Sequence, residues 1–204
     1  MRKARKEAAR RLYEMAERQQ GFFTTKQAKT AGFAENTHPY HVQARNWIRE
    51  YRGIYRLASF PQGERPDLMM WSLWSRDRAE TVQGVYSHQT ALSLHDLSDV
   101  MPAKLHMTVP PTFRRSSEIP RVLVLHYADL PEGDVEVSRG VRVTKPIRTI
   151  LDLLTGGEVP LATLQQALRE GLRRGVIRKS EIAEARKRLV DSKELRTLFQ
   201  RVAA

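Results

Sequence analysis

The chain has 204 residues, 41% hydrophobic and 28% charged, and no cysteine; this suits a soluble protein of two compact domains and excludes disulfides, zinc-finger ligation and thiol catalysis. The formal charge of +12 is uneven: residues 1–58 carry 13 Lys/Arg against 5 Asp/Glu, residues 59–160 carry 11 against 13, and residues 161–204 carry 11 against 5. Basic ends around a slightly acidic middle point to a polyanionic partner, because a summed positive field raises both encounter rate and affinity with phosphates.

Residues 1–11 are basic and helix-prone, with no apolar run behind them to serve as signal peptide or span, so a cytoplasmic protein without membrane association is expected. Over residues 4–18, Ala8, Leu12, Met15 and Ala16 recur at three- and four-residue steps, which predicts an amphipathic helix with a basic outer face. In GFFTTKQAKTAGF, Thr24 or Thr25 is the N-cap of a second short helix, Ala28 its small buried residue, and Gly32 the turn that ends it. Asn36 and Thr37 offer cap oxygens for a third helix, with Pro39 in its first turn, over residues 38–45; Asn46 is expected at the positive-φ position that closes it. A hairpin follows, with Trp47, Ile48 and Tyr51 before a turn at Arg52-Gly53, and Ile54, Tyr55 and Leu57 after it. Three helices and an arginine-tipped hairpin make a winged helix-turn-helix over residues 1–60.

The segment 61–66, PQGERP, is read as a linker, and residues 61–204 as a second, α+β domain. Helices are expected over residues 66–78 and 87–97, the latter capped by Ser87. Strands are expected over 105–110 and 121–127, with a hairpin over 135–144 that turns at Arg139-Gly140, giving a small, mostly antiparallel sheet. Pro146 opens a helix that Gly156-Gly157 stops, and basic helices run over 160–174 and 180–202.

The exposed side chains of a second helix-turn-helix helix reach base edges in the major groove. Here these are Asn36, Thr37, His38, Tyr40, His41, Gln43 and Arg45, with Val42 and Tyr40 expected to turn inward if any do. Gln43 is matched to adenine and Arg45 to guanine, while Lys26, Lys29, Arg49, Arg52 and Arg56 are read as phosphate or minor-groove contacts. No glycine-rich phosphate loop or Gly-x-Ser-x-Gly elbow occurs, and His88, His95, His106 and His126 lack metal-ligand spacing, His106 and His126 lying in separate strands. Asp96 and Asp99 read as a helix end and a turn, and Ser87-His88 as a cap and its neighbour. No catalytic residue, cofactor or metal is therefore assigned.

Taken together, GFFTTKQAKTAGF, WIREYRGIYRL, VYSHQTALSLHDLSDVMP and VTKPIRTILDLL resemble the AbiEi antitoxins of bacterial type IV toxin-antitoxin systems over nearly the whole chain. The resemblance implies a winged-helix domain binding repeats in the promoter of its own operon, with autorepression, and a C-terminal domain contributing to antitoxicity. The implied partners are promoter DNA, bound by two copies, and a nucleotidyltransferase-like toxin that is opposed without need of a stable complex. It also implies a buried or interfacial polar cluster of Thr144, Arg148 and Asp152; Asn46, where many relatives would carry Gly, departs from the pattern. The competing assignments are a nucleic-acid-processing enzyme with a winged-helix module, and an RNA- or protein-binding module using the basic tail.

Overall fold

The computed structural model describes residues 2–188 and 197–199. The chain is mixed α+β and divides into two compact units, Met1–Gln83 with Arg139–Val141, and Gly84–Ser138 with Arg142 onward. No helix among the described residues is long and apolar enough to cross a membrane.

The first unit opens with α1 (Arg2–Glu17), which buries Ala8, Leu12 and Ala16 and exposes Lys3, Arg5, Lys6, Arg10 and Arg11. A short strand, β1 (Phe22–Thr24), leads into α2 (Thr25–Ala31). Thr24 is the N-cap, forming a capping box with Gln27, and Gly32 closes the helix at φ +111°. A 3-10 turn (Glu35–Thr37) precedes α3 (His38–Gln43), and a hairpin of β2 (Trp47–Tyr51) and β3 (Ile54–Leu57) follows. β3 lies between β1 and β2, antiparallel to both. Leu12, Ala16, Phe23, Ala28, Ala31 and Trp47 form the core. Finally α4 (Pro66–Trp74), buried on nearly every side, packs on β1 and β3, with Trp71 edge-on to Tyr51 at 5.0 Å.

The division therefore falls after Gln83 and not near residue 60 as expected, because α4 and the segment behind it close over the three-stranded sheet. That segment returns Glu80 to accept from the Thr24 hydroxyl at 2.7 Å, and Arg76 to Gln19.

The second unit has a five-stranded sheet in the order β6-β5-β4-β8-β7, from β4 (Val85–Tyr86), β5 (Leu105–Val109), β6 (Leu123–Tyr127), β7 (Val135–Ser138) and β8 (Val141–Thr144). It is not mostly antiparallel: β5 pairs with β6, and β4 with β8, in parallel, while β4 and β5 are antiparallel. Helices α5 (His88–Leu94), α6 (Pro146–Gly156) and α7 (Leu161–Arg173) bury Leu92, Ile150, Leu153, Leu164 and Leu168 in one core. Ser87 takes the N-cap position of α5 but makes no side-chain cap bond. A further helix, α8, spans Lys179–Arg188; residues 189–196 and 200–204 of the expected 180–202 helix and the tail lie outside the described residues.

Candidate nucleic-acid interface

Six residues of α3 must settle which side chains enter the core, and the imidazoles do so. His38 is 2% exposed and His41 8%, one helical turn apart on the same face. Both pack on Trp47, His41 stacked at 4.5 Å between centroids and His38 edge-on at 5.2 Å, with Phe23, Phe33 and Tyr55 completing the aromatic cluster. Burial, helped by the nearby Arg5 guanidinium, pushes the His41 imidazole below its ordinary value, which favours its neutral form. His38 Nε2 lies 3.4 Å from the Phe33 carbonyl oxygen.

Turning those rings inward sends the intervening residues out. The side chains that turn inward are thus His38 and His41, expected at base edges, and not Tyr40, which is 58% exposed; Asn36, Gln43 and Arg45 are exposed beside it, and Val42 is half-buried against the core. Thr37 is half-buried, its hydroxyl donating to the Ala34 carbonyl at 2.6 Å. The positive-φ residue that ends α3 is Arg45, at φ +55°, and not Asn46. The amide of Arg45 bonds the Val42 carbonyl at 3.1 Å and that of Asn46 bonds the His41 carbonyl at 3.0 Å, the paired bonds of a Schellman motif. The helix stops one residue earlier than its composition suggests, and Arg45 is presented from a tight turn.

On the hairpin the cations divide. Arg52 sits at the exposed tip and Arg49 is exposed on β2. Arg56 faces the other way: it is 7% exposed, donates through Nε to Glu50 at 2.7 Å and through Nη1 to the Phe60 carbonyl at 3.3 Å. It is therefore a structural ion pair and not a contact reserved for phosphate. On α2, Lys26 and Lys29 are exposed; Lys26 donates to the Arg78 carbonyl, and Lys29 pairs with Glu35 at 3.0 Å. Such an exposed pair is weak enough to yield to a phosphate.

One basic residue outside the expected set joins this surface. Arg5 of α1 lines a hollow together with Tyr13, His41, Arg45 and Asn46. Its only sequence signal was the basic outer face of α1.

In the second unit the cluster of Thr144, Arg148 and Asp152 separates. Arg148 donates to Asp152 at 2.7 Å and to Asp134 at 2.9 Å, whereas the Thr144 hydroxyl bonds that of Thr149 at 2.7 Å. Asp96 ends α5 at φ +53°, and Ser98 accepts from the Val100 amide, as a helix end and turn require. The histidines do come together: parallel pairing of β5 with β6 brings His106 Nδ1 to 3.1 Å from His126 Nε2, and His88 stacks on His126.

The chain is similar in fold to the RV2827C protein from Mycobacterium tuberculosis, with a TM-score of 0.55 and 13% sequence identity over 95% of this chain and 71% of that one. No protein-family profile and no curated protein matches the chain.

Proposed function

We propose that the first unit is a winged helix-turn-helix that docks double-stranded DNA, with α3 in the major groove and the β2–β3 hairpin as the wing. The observation that carries this is the inward burial of His38 and His41, which leaves Tyr40 and Gln43 exposed on α3, with Asn36 exposed in the turn before it and Arg45 in the turn after it, beside Arg49 and Arg52. A short helix and its two turns that project amide, phenol and guanidinium groups, flanked by cations, suit base edges between phosphates. Gln43 and Arg45 are the base-reading pair; Lys26, Lys29, Arg49 and Arg52 hold the backbone.

The wider role is that of an AbiEi-type antitoxin and autorepressor, supported by the segments that resemble that family. Two copies on a repeated operator occlude the promoter, and the antitoxin opposes a nucleotidyltransferase-like toxin of the same operon. No catalytic residue is assigned. Gel shifts with the DNA upstream of the gene, a random duplex and tRNA test the role. Preferential retardation of the upstream duplex is expected; equal retardation of all three, or of tRNA alone, overturns it.

A further inference from the structure

The cations of α1 are not all alike. Arg10 pairs with Glu7 at 2.7 Å and with Glu14 at 2.5 Å, and Arg11 lies 3.6 Å from Glu7, so both are engaged along their own helix. Arg5 has no acid three or four residues away in either direction, because those positions hold Met1, Arg2, Ala8 and Ala9. Its guanidinium is exposed and makes no hydrogen bond or ion pair among the described residues.

Arg45 is alone in the same way, exposed and with its guanidinium unpaired among the described residues. Its backbone stands at φ +55°, a left-handed conformation that a non-glycine residue keeps only where its surroundings over-determine it. The fold thus fixes the direction in which this side chain leaves the chain.

Both arginines line one hollow of about 380 Å³ in the first unit, walled by α1, the turn after α3 and the residues that follow β3. Much of the remaining lining is apolar, including Leu12, Tyr13, Phe33, Trp47 and Leu57, and Tyr13 is 46% exposed. No Asp or Glu lines the hollow among the described residues. Two unpaired cations with no acid beside them attract an anion, and the volume lies at the lower end of the range for small-molecule sites. A bare phosphate leaves the apolar walls uncovered, and a neutral ring leaves the cations without a partner. A ligand that carries both a flat ring and a carboxylate meets both demands, since guanidinium groups form charge-assisted bonds with carboxylates and aromatic side chains pack on rings.

We propose that this hollow binds a small aromatic carboxylate, with its ring against Tyr13 and Phe33 and its carboxylate held by Arg5 and Arg45. Arg45 is also the residue matched to guanine, so the bound carboxylate competes with the duplex for it. That competition rests on the function proposed above; the site itself does not.

The test is calorimetric titration of the full chain with benzoate, indole-3-acetate, the two corresponding neutral amides and inorganic phosphate, with the Trp47 indole and His41 ring signals followed by NMR. At least one carboxylate binds and shifts both signals. Its amide binds about tenfold or more weakly, because a bond to a charged group is lost, and phosphate leaves the signals unmoved. Arg5→Gln, which removes no internal bond, weakens carboxylate binding by about the same factor. Saturating carboxylate also weakens binding of the upstream duplex, read by fluorescence anisotropy. Silence from both carboxylates at millimolar concentration overturns the proposal. So does an amide or phosphate binding as tightly as the acid, or Arg5→Gln binding the acid unchanged. Carboxylate binding with duplex affinity unaltered overturns the competition, whereas a chain that binds the carboxylate and no duplex overturns the DNA-binding function and leaves the site in place.

Discussion

Two arginines on one hairpin separate DNA contact from folding. Arg52 is exposed at the tip, whereas Arg56 is 7% exposed and bonded to Glu50 at 2.7 Å. On the proposed docking, removing Arg52 deletes one phosphate contact and no hydrogen bond or ion pair among the described residues. With four to six contacts per copy, log affinity falls against log salt with a slope of about −4 to −5, and Arg52→Ala makes that slope shallower by about 0.9. Removing Arg56 leaves a half-buried carboxylate without its donor, at a cost of about 2 kcal/mol, the usual worth of a hydrogen bond to a charged group. Its salt slope stays that of the wild type. Fluorescence anisotropy on a labelled duplex across a salt series gives the slopes, and urea denaturation gives the stabilities. Arg56→Ala changing the slope with stability intact, or Arg52→Ala destabilising the fold and leaving the slope alone, would refute this division of roles.

Arg45→Gly relieves a left-handed residue at φ +55° and raises stability by about 0.5–1 kcal/mol, while weakening binding to guanine-containing operators; denaturation and anisotropy on the same samples check both signs. Gly21→Ala places a Cβ about 2.6 Å from the Phe60 side chain at a φ of +86°, and the melting temperature falls by an amount matching about 2–4 kcal/mol. Acidification destabilises the second unit through His88, His106 and His126. Each is held neutral in the fold and charges more readily when unfolded, so the stability they contribute is whole above pH 6.5 and is lost below it. For His88 the loss continues to its folded value of about 3, at up to about 1.4 kcal/mol per pH unit. Denaturation of wild type and His88→Gln at pH 7 and pH 5 tests this, with the shallower dependence expected in the variant.

Much of the local punctuation was legible in the chain. Thr24 caps α2, Gly32 and Gly157 end helices in left-handed conformations, and Gly53 turns the hairpin, because each position needs the chemistry that its residue supplies. The inward face of α3 was not legible. Six residues are too few to establish a helical period, and histidine is polar by composition yet sits here as an aromatic core residue against Trp47. The burial of Arg56 follows from strand alternation: Ile54 and Arg56 share one face of β3, which runs between two neighbours, but β1 is only three residues long and gave no strand signal to mark β3 as central. The stacked histidines escaped for a different reason. They meet through the parallel register of β5 and β6 and the start of α5, pairings between residues far apart that no local pattern encodes.

The central claim is that the outward face of α3 and the hairpin tip form the DNA surface. Amide chemical-shift mapping of the full chain on addition of the upstream duplex tests it most directly. The largest changes are expected at residues 36–37, 40, 43–46 and 49–53, with the His38 and His41 rings keeping their buried environment. Changes confined to the second unit, or spread evenly over every basic surface of the chain, would contradict it.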